Sequence, residues 1–261
     1  MGPKTDMLAT ASEVIMVAAI AISAAQEEGA TGFGFAMMAE AFLLLVMGSL
    51  DAVGMTMILN LLVSIVLVPG LWRQAPKGPL ARLSLGSVLG FPIGLAIFLQ
   101  ASLDWVRLAV GLIILAFAAT LALHRGGNGA QTGGKSAFVQ RPWAETLVGV
   151  FSGAMATALA MPGPAVMLYL SARGMAKEPL RACSLCLFTL SYGAALALQT
   201  AAGATSGQMW LTASLAAPPT VVGAIAGHRL SRRLDENIFR TVVLAILLIT
   251  GAYTTGAAIF A

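Results

Sequence analysis

Two clusters of helix-breaking residues and two acidic side chains stand out from an otherwise apolar chain. The clusters are Thr31-Gly32-Phe33-Gly34 and Pro162-Gly163-Pro164, and the acids are Glu28 and Glu40. A helix that restarts after such a break presents N–H groups with no partner in a preceding turn, at the positive end of its dipole. That end binds an anion without a buried lysine or arginine. No Lys or Arg stands in the middle of an apolar run here. Pro164 suits a first helical turn, where its missing N–H would be unpaired anyway. Glycine and proline could instead serve only a tight turn, but their recurrence at matching places in two halves of the chain favours a binding site.

The acids admit two readings. Glu28, beside Glu27, follows an apolar arm whose C-terminal end is the negative one. Proton uptake linked to an anionic substrate is one role for Glu28 or Glu40, since acids at membrane depth are functional candidates. A carboxylate facing a water-filled vestibule is the other. Among neutral groups, Asn60 and the pair Ser191-Tyr192 lie 131 and 132 positions apart. Their amide and hydroxyl donors could hold the oxygens of a substrate or bond a neighbouring helix. Gln100 and Gln199 fall near span ends and read as interfacial. His124 and His228 sit at helix ends with too few companions for a metal site. Cys183-Ser184-Leu185-Cys186 has the C-x-x-C spacing of a thiol-redox enzyme. It lacks a second thiol pair, and an oxidised i, i+3 pair would distort a helix. The chain is therefore expected not to be an enzyme, and no cofactor is implied.

The elements that must position these groups follow from composition. Of 261 residues, 58% are hydrophobic and only 10% charged, with a mean hydropathy of +0.88. A water-facing surface needs roughly 25% charged residues, so a soluble domain is excluded. Apolar runs near 14–25, 55–71, 83–99, 105–123, 182–198 and 239–260 approach the roughly 20 residues that span hydrocarbon. The expected fold is an all-α polytopic membrane protein in contact with the lipid bilayer. A net charge of +4 and a pI near 9.4 would suit nucleic acid, but the basic residues sit in short loops and report topology instead. Val14 to Ile22 followed by Ser23-Ala24-Ala25 looks like a cleavable signal, but Asp6 and Glu13 offset Lys4 and remove the positive flank.

Landmarks recur about half a chain apart. Leu103-Asp104 with Arg107 is matched 131 positions later by Leu234-Asp235, followed by Arg240. Each half then holds a broken segment, near 10–48 and 143–172, followed by three ordinary spans. If both broken segments dip in and return, nearly all basic loops share one side, which is the positive-inside pattern. If each crosses once, the basic loops fall on both sides. The charges favour the hairpins, giving two inverted repeats, 1–124 and 143–261, joined by a Gly-rich cytoplasmic linker at 125–142. Small residues at four-residue spacing (Gly86, Gly90 and Gly94; Gly149 and Gly153; Gly223 and Gly227) read as close helix packing. Trp72, Trp105, Trp143 and Trp210 at span ends fit an interfacial belt.

Ala30-Thr31-Gly32-Phe33-Gly34-Phe35-Ala36 and Ser152-Gly153 through Pro162-Gly163-Pro164-Ala165-Val166-Met167-Leu168-Tyr169-Leu170, followed by Gly174, Lys177 and Arg181, resemble the two signatures of the sulfite exporter TauE/SafE family. Glu40 and Ala165 stand where that family often has proline. The resemblance spans the chain. It implies a cell-membrane transporter of a small sulfur-containing anion, sulfite or an organosulfonate such as sulfoacetate, in the bacterial inner membrane. An anion channel is the nearest alternative. Oligomeric state, direction and coupling ion stay open, with protons one candidate ion.

Overall fold

The structure, a computed structural model, describes residues 20, 22–25, 35–123, 141–230, 248–249 and 251–256. Every regular element among them is helical: α1 (Phe35–Met47), α2 (Asp51–Leu67), α3 (Lys77–Gln100), α4 (Leu103–Leu123), α5 (Pro142–Leu159), α6 (Gly163–Ala172), α7 (Lys177–Ala201) and α8 (Gly207–Leu230). Two 3-10 turns, Val68–Gly70 and Trp72–Gln74, join α2 to α3. Further short helical pieces occupy 22–25 and 251–256.

Among the described residues five helices are long and apolar enough to cross a membrane: Asp51–Gly70, Lys77–Gln100, Leu103–Thr120, Lys177–Ala201 and Gly207–Arg229. α1 and α6 are apolar but too short to do so. The run at 239–260 lies mostly outside the described residues. The exterior is apolar, unlike that of a soluble protein, and several polar side chains are buried. Leu85, Leu89, Ile93, Phe151, Leu215 and Val222 are exposed, whereas Glu40, Thr56, Asn60, Ser64, Glu145, Ser191 and Gln199 are buried. Hydrocarbon solvates the first set, and the second must be satisfied inside. The four tryptophans stand at helix ends and are exposed, as an interfacial belt requires.

α3 shows how sequence spacing sets packing. Its exposed residues Leu85, Val88, Leu89, Ile93 and Ile97 lie along one side, and Gly86, Gly90 and Gly94 lie along the other. The glycines meet α5 backbone to backbone: a Cβ on Gly90 would stand 2.0 Å from the Val150 carbonyl oxygen, and one on Gly153 would stand 2.2 Å from that of Ser87. Both helices advance together along this seam, so they run parallel. Ser87 Oγ donates to Leu83 O and Gly149 O at 3.0 and 3.2 Å, fixing the register. Gly223 of α8 makes a similar close approach to Ile22 and Ala25. The expectation of close packing holds at these positions. At the centre, α2 packs on α7 and α8, and α7 packs also on α3 and α6.

Charged groups tie the ends of elements together. Glu145, in the first turn of α5, pairs with Arg173, which caps the last turn of α6, and with Arg82 of α3. The start of α5 and the end of α6 are thereby side by side, so the chain reverses between them. Arg107 of α4 donates to Leu44 O at 3.2 Å, a cation on the terminal carbonyls of α1 where the dipole is negative.

Candidate functional site at the α5–α6 break

α5 ends at Ala160, which adopts the left-handed conformation at φ 52° and ψ 26°. It is the one non-glycine residue with positive φ among those described. For a residue with a Cβ this costs free energy, and such outliers gather at functional sites. Met161 N–H turns back to Met155 O at 3.2 Å, and α6 restarts at Gly163 with Pro164 in its first turn. Pro162, Gly163 and Pro164 are all buried.

Breaking a helix inside a membrane protein frees carbonyls that lipid cannot solvate. Three carbonyls here receive side-chain donors. Gln199 Nε2 donates to Thr157 O at 2.9 Å, Tyr192 Oη to Ala160 O at 3.2 Å and Ser152 Oγ to Pro162 O at 2.8 Å. The start of α6 receives no side-chain cap. The acceptors of the break are thus answered from within, while the N–H groups of Gly163 and Ala165 open an uncapped first turn. Donors at a positive helix end suit an anion.

α2 joins the site through Asn60, whose Nδ2 donates to Tyr192 Oη at 2.9 Å. The tyrosine hydroxyl spends its proton on the Ala160 carbonyl, so toward Asn60 it can only accept, and the amide must present its NH2. The same logic fixes Gln199, because a carbonyl only accepts. Both amide oxygens, Asn60 Oδ1 and Gln199 Oε1, are left buried without a hydrogen bond. Ser64 Oγ and Ser191 Oγ share that condition, and the Glu40 carboxyl and Thr56 Oγ1 have only each other. Each such group costs about 1–3 kcal/mol if nothing answers it. Glu40 lies on α1 against Thr56.

Of the residues singled out in the sequence, Asn60 and Tyr192 meet directly and join the break that holds Pro162, Gly163 and Pro164. Ser191 is buried beside Tyr192 on α7, and Glu40 is buried on α1. Thr31, Gly32, Phe33, Gly34 and Glu28 lie outside the described residues. Gln199 departs from expectation: it is fully buried at the break, because the Thr157 carbonyl needs a donor, whereas Gln100 is exposed as expected. Cys183 and Cys186 are free thiols on α7. Among the described residues no group of three or more His, Cys, Asp or Glu could hold a metal. Sequence reasoning missed Thr56 and Ser64, although Thr56-Asn60-Ser64 is a polar stripe at four-residue spacing. It also missed Ala160, for which an alanine gives no signal.

An apolar exterior, long hydrophobic helices and polar side chains held in the interior define a polytopic helical membrane protein. The family described as Sulfite exporter TauE/SafE matches residues 15–254, and the chain belongs to it. It is thereby a membrane transporter of the sulfite-exporter kind. No curated protein and no solved structure matches the chain.

Proposed function

We propose that this chain exports a small sulfur-containing anion, sulfite or an organosulfonate such as sulfoacetate, across a bacterial inner membrane from a site at the bilayer midplane. The observation that carries the reading is the break between α5 and α6, where the freed carbonyls are answered internally and the helix start is left uncapped. An oxyanion offers acceptors only and matches what remains. In this reading Thr31, Gly32, Phe33 and Gly34 supply the equivalent helix start before α1. Asn60, Ser191 and Tyr192 line the space between the two breaks.

The architecture that goes with it is two inverted repeats, 1–124 and 143–261, each a re-entrant hairpin followed by three crossings, with 125–142 as cytoplasmic linker. Support comes from the Glu145–Arg173 pair, which returns α6 to the end from which α5 started. It comes also from exchanged contacts: α3 on α5 is mirrored by Gly223 of α8 against Ile22 and Ala25. Likewise α2 on α8 is mirrored by α7 on α3. Coupling to protons would run through Glu28, with Glu40 the second choice.

The test is sulfite and sulfonate flux in proteoliposomes. Saturation and counterflow are expected of a transporter and absent from a channel. Gly163→Val should weaken sulfite binding by about tenfold, the 1.4 kcal/mol of one modest contact, with a smaller effect on folding. Unchanged affinity would remove the anion from this break. Glu28→Gln should abolish the pH dependence of flux, and an unaltered pH profile would exclude Glu28 as the proton carrier.

A further inference from the structure

Along α2 and the faces packed on it, the buried groups short of hydrogen-bond partners are oxygens, whereas Arg107 Nε, a donor in the same condition, stands apart on α4. Asn60 and Gln199 contribute an amide oxygen each, Ser64 and Ser191 a hydroxyl each, and the Glu40 carboxyl finds only the Thr56 hydroxyl. Both amide NH2 groups are already spent, one on Tyr192 and one on the Thr157 carbonyl. An oxyanion cannot answer carboxylate and amide oxygens, because it brings more acceptors. These oxygens call for a donor or a cation.

The hydroxyls behave differently from others in the same protein. Ser87, Thr157, Thr189 and Thr220 donate to the carbonyl four residues back on their own helices, the ordinary way a helix absorbs such a group. Thr56, Ser64 and Ser191 sit on equally regular helices and make no such bond. Thr56, Asn60 and Ser64 occupy successive turns of one α2 face, and Glu40 of α1 lies against the first of them.

We propose that Glu40, Thr56 and Asn60 form a sodium site beside the anion site, completed by oxygens from the adjoining turns. The inference rests on the transport reading above and gives Glu40 a role distinct from the proton on Glu28. Carboxylate, hydroxyl and amide oxygens are the ligands of hard cations. Glu40 is fully buried, and no ion pair among the described residues reaches it. A charge so placed needs a counter-charge, and a single carboxylate balances a monovalent ion. A divalent ion would ask for more carboxylates than this site holds. One proton would neutralise Glu40 and give its O–H one acceptor, whereas a cation gathers the carboxylate, hydroxyl and amide oxygens at once. Water would supply donors but leave the charge.

The cation would stand one helical turn of α2 and two hydrogen bonds from the break, through Asn60, Tyr192 and Ala160. Its field favours an oxyanion at the start of α6, and the anion favours the cation equally, because the coupling of two binding sites is reciprocal.

The test uses the full chain in nanodiscs, in sodium, potassium or choline chloride at one pH and ionic strength. Thermal stability is measured without substrate, and sulfite affinity in each salt. Sodium is expected to raise the unfolding midpoint and to tighten sulfite binding by about fivefold or more, the lower end of ordinary couplings. Thr56→Val should remove the sodium response, whereas Thr220→Val, whose hydroxyl is spent on its own helix, should keep it. If Thr56→Val does not fold, the salt comparison on the unmodified protein still decides. Equal stability and equal sulfite affinity in all three salts would overturn the sodium site and leave the anion reading intact. A sodium-specific rise in stability with no sulfite binding in any salt would uphold the sodium site and count against the anion reading.

Discussion

Asn60 of α2 hydrogen-bonds the hydroxyl of Tyr192 of α7 at 2.9 Å, across 132 positions of sequence. Through that hydroxyl the bond reaches the carbonyl of Ala160, the left-handed residue that ends α5. The central helix of each half of the chain is thus tied to the break in the second.

Tyr192→Phe should test this link. It removes one oxygen and leaves the Ala160 carbonyl and the Asn60 amide each buried without the hydroxyl they share, at about 1–3 kcal/mol for each group. The unfolding midpoint in detergent should fall, and sulfite binding should weaken. Combined with Asn60→Leu, the two losses should be less than additive, with an interaction of about 1 kcal/mol. Strict additivity would mean that the hydrogen bond carries no weight.

Gly90→Ala should destabilise the α3–α5 seam. The new methyl would lie 2.0 Å from the Val150 carbonyl oxygen, and a backbone atom cannot move aside as a flexible side chain can. Overpacking of this sort costs about 1–3 kcal/mol. Gly207→Ala is the control, since nothing lies within 4 Å of the added carbon. Thermal unfolding of both variants should separate them, and equal stability would contradict the close seam.

Single cysteines at Ala130 and at Ala261, in a background with Cys183 and Cys186 replaced by serine, should label from opposite sides of the membrane. The one-sided basic loops and the reversal of chain at Glu145–Arg173 motivate this. Labelling from the same side would sink the two-hairpin topology.

Much of the architecture was legible because its causes are local. Apolar runs near 55–71, 83–99, 105–123 and 182–198 appear as α2, α3, α4 and α7, since hydrocarbon admits few other structures. The prolines around Gly163 stop one helix and start the next, whatever surrounds them. Glycines four residues apart line one side of α3 because the helix period puts them there.

What the sequence by itself determined, then, was class, those four spans, the second break and the small-residue seam, all consequences of composition and period over a few turns. Tertiary structure alone decided that Gln199 is buried rather than interfacial. It also decided that Glu145 holds two arginines, that Ala160 takes the left-handed conformation, and that the Thr56–Asn60–Ser64 face keeps oxygens unanswered beside Glu40. Each depends on a partner brought from a distant part of the chain. A hydrogen bond between α2 and α7, or a carbonyl exposed by a break in α5, has no counterpart in local propensity, so only the packed helices could settle which polar groups meet and which do not.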